Sequence, residues 1–317
     1  MTLATSEAEM TPTTTNTKRP LLVVVLGPTG SGKTDLAVEL ARHFHTEIIS
    51  TDSRQFYRGM PIGTAQPSAE QLATVPHHFI ADRQPEEELS AGGYEREALE
   101  RLEGLFERHE VVVAVGGSGL YIDALCEGFD DLPSDTAEIR AGLMERLAEE
   151  GLESLVEELC ERDEAYWQVV DRKNPARVVR ALEVCIASGR PYSEQRTAVR
   201  KERPFEVLKI GVLWEREELY DRINRRVDMM VAEGLEEEAR SVFHLRHLSS
   251  LQTVGYREFF DFFDGKITRE EAVELIKRNT RRYAKRQMTW FRRDTTTRWL
   301  APDELPRAVE FVEHALG

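Results

Sequence analysis

The sequence predicts an α/β fold, a parallel sheet with helices on both faces, carrying an inserted all-helical subdomain. Three observations lead there. Apolar runs at Leu21–Leu26, Val111–Val115 and Val207–Trp214 lack the polar alternation of a half-exposed strand, so they read as strands buried on both sides. The first two run straight into glycine turns that open helical patterns, the connection that parallel strands require. Asp135–Glu164, in contrast, is patterned as helix only, with eleven acidic residues against three arginines.

Taken in order, residues 1–19 are Thr-rich and polar and are expected to form a disordered tail. The first strand leads through a glycine-rich turn to a helix at Lys33–His43, a strand at Glu47–Ser50, and a loop rich in turn residues to Pro76. A helix at Tyr94–Glu107 precedes the strand Val111–Val115, the turn Gly116–Gly119 and a helix at Leu120–Glu127. Residues 130–204 form the helical insert, whose second helical stretch is Asn174–Ser188. The strand at Val207–Trp214 rejoins the sheet, and helices are expected from Arg216 onward. Residues 20–129 and 205–317 thus make one core domain around the insert.

With 317 residues, 41% hydrophobic and 31% charged, the chain can bury a full core. No apolar run approaches the roughly 18 residues of a membrane span, and the N-terminal segment lacks the apolar stretch of a signal peptide. Cys126, Cys160 and Cys185 lie far apart and fit no zinc spacing, as expected of reduced thiols in a cytoplasmic protein.

The segment GPTGSGKT comprises Gly27, Pro28, Thr29, Gly30, Ser31, Gly32, Lys33 and Thr34, and it sits between a strand and a helix. This is a P-loop in its required setting. Backbone N–H groups turn inward around phosphates, Lys33 adds a point charge, and the Thr34 hydroxyl can ligate Mg²⁺. The ligand is a nucleotide or a diphosphate, and the motif does not choose between them. DSRQFY follows the second strand, so Asp52 stands beside the phosphate cradle at the carboxyl ends of the strands. There its carboxylate could hold Mg²⁺, orient a nucleophile, take a proton, or simply cap a turn. GGSGLY, Gly116–Tyr121, offers backbone donors to the same crevice, although close helix packing would need its glycines equally.

The formal charge of −15 argues against an anionic partner until its distribution is considered. Lys277, Arg278, Arg281, Arg282, Lys285, Arg286, Arg292 and Arg293 stand within seventeen positions that contain no acidic residue. On a helix, all but Lys277 fall within an arc of about 140°, while Ile276, Tyr283, Trp290 and Phe291 project from the other side. An unpaired basic stripe of this kind points to an anionic polymer.

In chain order, GPTGSGKT, DSRQFY, IGTAQP, PHH, SAG, GGSGLY, RVVRALEV, RINRRV, TVGYRE and YAKRQMTWFR together resemble the tRNA dimethylallyltransferase family. The resemblance implies a P-loop NTPase-like fold whose cradle holds dimethylallyl diphosphate and Mg²⁺, with Thr34 as metal ligand. It implies transfer of the prenyl group to N6 of the adenosine 3′-adjacent to the anticodon, in tRNAs reading codons that begin with U. Asp52 is then the general base, Thr29 faces the bridging oxygen of the breaking bond, and Arg226 clamps the diphosphate. The adenosine must be extruded, lined by Asp52, Ser53, Arg54 and Gln55. The tRNA anticodon stem-loop is held by Ser118, Arg140, Arg177, Arg180, Gln252, Gly255, Tyr256, Arg257, Lys285, Arg286, Gln287, Trp290 and Arg292. The implied protein is a cytoplasmic monomer with no membrane contact.

Several positions depart from the family pattern. Ser118 replaces a threonine, Gln66 a lysine and Gly93 an aspartate, and Asp171–Pro175 lacks the usual start. His77 and His78 are expected to be structural. Three other readings remain open to the residues themselves. A small-molecule kinase would need no basic stripe, a prenyltransferase acting on free AMP would need no RNA platform, and a nucleotide-gated RNA switch would perform no prenyl chemistry.

Overall fold

A computed structural model describes residues 19–130, 132–133, 136–197 and 199–317. The expected tail therefore lies outside the described residues but for Arg19, as does Asp135 at the start of the insert pattern. Six strands are described: β1 (Leu21–Leu26), β2 (Ile48–Ser50), β3 (His77–His78), β4 (Val111–Gly116), β5 (Glu206–Val212) and β6 (Arg298–Leu300). They form one sheet in the order β3-β2-β4-β1-β5-β6, with every neighbouring pair parallel. The helices before the insert are α1 (Lys33–His43), α2 (Ala69–Thr74), α3 (Ala91–Phe106) and α4 (Gly119–Glu127). Those of the insert are α5 (Ala137–Glu149), α6 (Leu152–Arg162), α7 (Glu164–Val169), α8 (Pro175–Ser188) and α9 (Tyr192–Gln195). The chain continues through α10 (Arg216–Ala232), α11 (Leu235–Ser241), α12 (Tyr256–Phe263), α13 (Arg269–Phe291) and α14 (Arg307–Leu316).

The continuous apolar runs are explained by burial on both faces. Leu22, Val24, Leu26, Val112 and Ala114 face one core with residues of α3, α4, α12 and α13. Their alternates Leu21, Val23, Val25, Val111, Val113 and Val115 face a second core under α1 and α14. Each such leucine or valine contributes about 1.5–3 kcal/mol on full burial, so the two central strands carry much of the sheet's stability.

Three elements differ from the sequence expectation. α2 and β3 occupy ground read as loop and its margin. Ser68 and Gln71 form a reciprocal capping box at the start of α2, a signature present in the sequence as Ser-x-x-Gln. β3, with only two residues, pairs with β2 and is too short to show periodicity. β6 interrupts the expected run of C-terminal helices. It pairs only with β5, and its three residues pass from exposed to buried within one alternation, too little for a pattern to register.

The insert helices bury their own cluster around Leu143, Leu155, Leu159, Val178, Val179 and Leu182. At its root the two crossings of the chain touch, Lys201 N–H donating to the Glu127 carbonyl at 2.7 Å. Arg203, buried beside them, donates to the Leu125 and Ala124 carbonyls at 2.9 and 2.6 Å and pairs with Glu95 at 2.9 Å. A charge that is both paired and hydrogen-bonded in this way is tolerated inside a core.

α13 begins at a Thr268–Glu271 capping box and runs for 23 residues. Ile276, Ala284, Gln287 and Phe291 are buried on one side, whereas Arg278, Arg282, Lys285, Arg286, Arg292 and Arg293 are exposed on the other. Lys277, outside the basic arc, is paired with Asp228 at 2.7 Å and Glu274 at 3.3 Å.

Candidate active site

Register brings three loops to one edge of the sheet. Leu26 of β1 lies opposite both Gly116 of β4 and Gly211 of β5, and Ser50 of β2 lies opposite Val115. The P-loop, Asp52 and the Gly116–Gly119 turn therefore emerge side by side, at the carboxyl ends where open parallel sheets bind ligands. α10 and α13 close the opposite wall, leaving a cavity of about 480 Å³. Thr29, Lys33, Thr34, Asp52 and Arg226 are among its polar lining residues. Ile223, Val227, Met230, Leu235, Val254 and Ile276 supply apolar lining from α10, α11, α13 and an intervening loop.

The P-loop is shaped by Gly30 and Gly32, whose φ values of 80° and 87° lie in the left-handed region. It is braced from behind. The Trp214 indole N–H donates to the Ser31 carbonyl at 2.8 Å, and Arg222 Nε donates to the Gly30 carbonyl at 2.9 Å. The Arg222 guanidinium in turn lies over the Trp214 ring, 4.2 Å from its centroid.

Desolvation pushes the Lys33 ammonium down to about 8 from its ordinary 10.5, with Asp52 opposing the shift and Arg226 adding to it. Burial likewise lowers Arg226. Two partly buried cations lining one cavity are poised for a polyanion, whose charge would oppose both shifts. This arrangement predicts a pH dependence. The Lys33 charge is present below pH 8 and is lost above it, so inorganic pyrophosphate should bind about tenfold more weakly at pH 9 than at pH 7, relative to a Lys33→Arg variant that keeps its charge. Titration calorimetry of both proteins at the two pH values checks this.

Asp52 is held by its own loop, its Oδ1 accepting the Arg54 N–H at 3.1 Å. The Arg54 side chain donates to the Ser249 and Ser250 carbonyls at 2.8 and 3.2 Å, and Gln55 Nε2 donates to the Ala65 carbonyl at 2.7 Å. Gln66 stitches the same loop by donating to the Gln55 and Tyr57 carbonyls, so this departure from the family pattern has a structural use. The Ser118 hydroxyl accepts the Ser53 N–H at 3.0 Å and also meets the Ser53 hydroxyl. Tyr283 faces this group, and burial together with the Asp52 charge pushes its phenol up to about 12, keeping it neutral.

The expected RNA contacts fall into three groups. Asp52, Ser53, Arg54, Gln55, Ser118, Gln252, Gly255, Arg257, Arg286, Gln287 and Trp290 line the cavity, and Lys285 and Arg292 are exposed on the neighbouring face of α13. Arg140, Arg177 and Arg180 lie on the insert and do not line the cavity. Arg140 and Arg180 pair with the buried Glu183 at 3.3 and 2.5 Å, whereas Arg177 is exposed. Tyr256 needs correction as a surface contact. It is 0% exposed, packs against Gly63, and donates its hydroxyl to Glu238 Oε1 at 2.6 Å. Glu238 also accepts the Ile62 and Gly63 N–H groups at 2.8 Å, so Tyr256 and Glu238 clasp the loop that supports Gln55.

Sequence reasoning missed the apolar wall, although Ile223, Val227 and Met230 recur at helical spacing beside Arg226. His77 and His78 lie outside this cavity. They line a separate depression at the sheet edge, where His78 pairs with Glu47 at 2.7 Å. Mg²⁺ suits the oxygens of Thr34 and Asp52, both of which line the cavity. Among the described residues no group of three or more His, Cys, Asp or Glu is placed to hold a metal ion by itself.

The family described as IPP transferase matches residues 55–294. The chain belongs to the IPP transferase family. It is 50% identical over 293 residues to tRNA dimethylallyltransferase 1 of Bacteroides thetaiotaomicron, covering 92% of this chain and 95% of that relative. The solved tRNA isopentenylpyrophosphate transferase of Bacillus halodurans superposes with a TM-score of 0.69 at 37% identity, covering 94% and 97% of the two chains. A eukaryotic dimethylallyltransferase solved acting on tRNA gives a TM-score of 0.74 at 25% identity, over 89% of this chain and 74% of that one. The IPP transferase family therefore accounts for both the P-loop architecture and the resemblance read from the ten motifs.

Proposed function

We propose that this chain transfers a dimethylallyl group from dimethylallyl diphosphate to N6 of the adenosine 3′-adjacent to the anticodon, in tRNAs reading codons that begin with U, giving N6-(dimethylallyl)adenosine. One observation carries the reading. A single cavity joins a cationic phosphate cradle and a carboxylate to an apolar wall, with the exposed basic face of α13 at its rim.

The donor is chosen by its chemistry. Ionisation of the C1–O bond needs a double bond adjacent to C1, which dimethylallyl diphosphate has and isopentenyl diphosphate lacks. Ile223, Val227, Met230 and Ile276 shelter the five-carbon chain from water, while the P-loop amides, Lys33 and Arg226 neutralise charge on the departing diphosphate. Thr29 lines the cavity, and its hydroxyl is assigned to the bridging oxygen. Mg²⁺ on Thr34, with Asp52 nearby, would supply further charge stabilisation to the leaving group.

The acceptor base must leave its stack to enter the cavity. Its N6 lone pair forms the bond to C1, the C1–O electron pair departs with diphosphate, and the N6 proton passes to the Asp52 carboxylate. The proposal places the reaction in the cytoplasm and in a single copy of the chain. Among the described residues no helix is long and apolar enough to cross a membrane.

The test is mass analysis of an anticodon stem-loop RNA after incubation with protein and Mg²⁺, using dimethylallyl or isopentenyl diphosphate as donor. A five-carbon adduct on the adenosine, formed only with the dimethylallyl donor, is expected. Modification of free AMP but not of the stem-loop, or RNA-independent phosphate release from ATP, would overturn the assignment.

A further inference from the structure

Gln287 does something its position in the basic helix does not announce. It is 5% exposed, on the inner face of α13 between Tyr283 and Trp290. Its Oε1 accepts the Thr29 backbone N–H at 2.9 Å, and its Nε2 donates to the Gly117 carbonyl at 2.9 Å. Thr29 belongs to the loop after β1 and Gly117 to the turn after β4, so one side chain ties both to α13. The two partners fix the amide's orientation, because a backbone N–H needs an acceptor and a carbonyl needs a donor. Glutamate would set a carboxylate against the Gly117 carbonyl, and methionine would serve neither partner.

The approach is tight. A Cβ on Gly117 would collide with Gln287 Nε2, and one on Gly119 would collide with the Trp290 ring. Trp290 Nε1 also donates to Asp123 at 2.9 Å. The inner face of this helix segment is thus keyed into the turn, while Arg282, Lys285 and Arg292 beside it are exposed and do not line the cavity. The amide is the direct hydrogen-bonded link between α13 and the Thr29 backbone.

We infer that Gln287 is a positioning residue that sets Thr29 at the mouth of the diphosphate cradle and couples RNA docking on α13 to seating of the diphosphate. The inference rests on the proposed function for the identity of the two ligands. Such coupling is reciprocal: diphosphate strengthens RNA binding by the same factor as RNA strengthens diphosphate binding.

The test measures the affinity of a labelled anticodon stem-loop with and without Mg²⁺ and inorganic pyrophosphate, for the full chain and for Gln287→Met, Gln287→Glu and Gly117→Ala. The last displaces the amide without altering α13. In the unaltered chain pyrophosphate should tighten RNA binding by about fivefold or more. In all three variants that factor should fall to near one, with RNA affinity in the absence of pyrophosphate within about twofold of the unaltered chain and kcat reduced at least tenfold, circular dichroism confirming the fold. An unchanged coupling factor in the variants, or no coupling in the unaltered chain, overturns the inference. So does a loss of RNA affinity with coupling retained, which would make Gln287 an RNA contact. A chain that couples RNA and pyrophosphate but prenylates no RNA would remove the proposed reaction and leave the tether standing, so the two failures are distinct.

Discussion

Replacing Asp52 with alanine should lower turnover by about 10²–10⁴-fold, the contribution of a positioned general base, while RNA affinity stays within about threefold. The reason is geometric. Asp52 contacts its own loop through Oδ1 and the Arg54 N–H, and the surrounding loop is anchored separately by Arg54 on Ser249 and by Gln55 on Ala65. Removing the carboxylate therefore deletes a proton acceptor without dismantling the loop. Single-turnover prenylation and a stem-loop binding assay separate the two effects. A rate within tenfold of the unaltered enzyme would remove the general-base assignment, and a matched loss of RNA affinity would reassign Asp52 to binding.

The second large effect concerns the outer face of α13. Reversing Arg282 and Lys285 to glutamate should weaken stem-loop binding by at least an order of magnitude at low salt. It should also lower the magnitude of the log–log salt slope by about two, one for each lost phosphate contact. Both side chains are exposed, and neither is held in an ion pair among the described residues, so folding stability should change little. Binding measured from 50 to 300 mM salt decides the matter. An unchanged slope would show that RNA docks elsewhere.

Much of this site was legible before the fold. The P-loop declares itself because phosphate binding demands glycines, a lysine and a hydroxyl at fixed spacing between strand and helix. Asp52 was placed beside it by the strand that precedes it. The basic stripe was visible because charge without partners on one helical face is unusual. The apolar wall was less so, since its members come from α10, α11, α13 and an intervening loop, and only the segment on α10 shows a periodicity of its own.

Gln287 is the instructive case. Grouped by motif with its basic neighbours, it reads as an RNA contact. On the helical wheel, however, it falls about 180° from Arg278, outside the basic arc and on the side of Tyr283 and Trp290. The periodicity held the signal; the motif hid it. Tyr256 carried no comparable warning, because its burial depends on Glu238 and Gly63, which lie far away in sequence. β6 was unreadable for a related reason. Three residues become a strand only because β5 offers them an edge.

The adjoining crossings at Glu127 and Lys201 give the helical insert the character of a module on a stalk. Its entry and exit lie a hydrogen bond apart, and its apolar cluster is its own. Replacing it with a short turn would leave the spacing of β4 and β5 undisturbed, and the closure entropy changes by only about 0.6 kcal/mol for each doubling of loop length. A change in the length or packing of this appendage is therefore expected to leave the register of the sheet beneath it, and with it the phosphate loop, where it is.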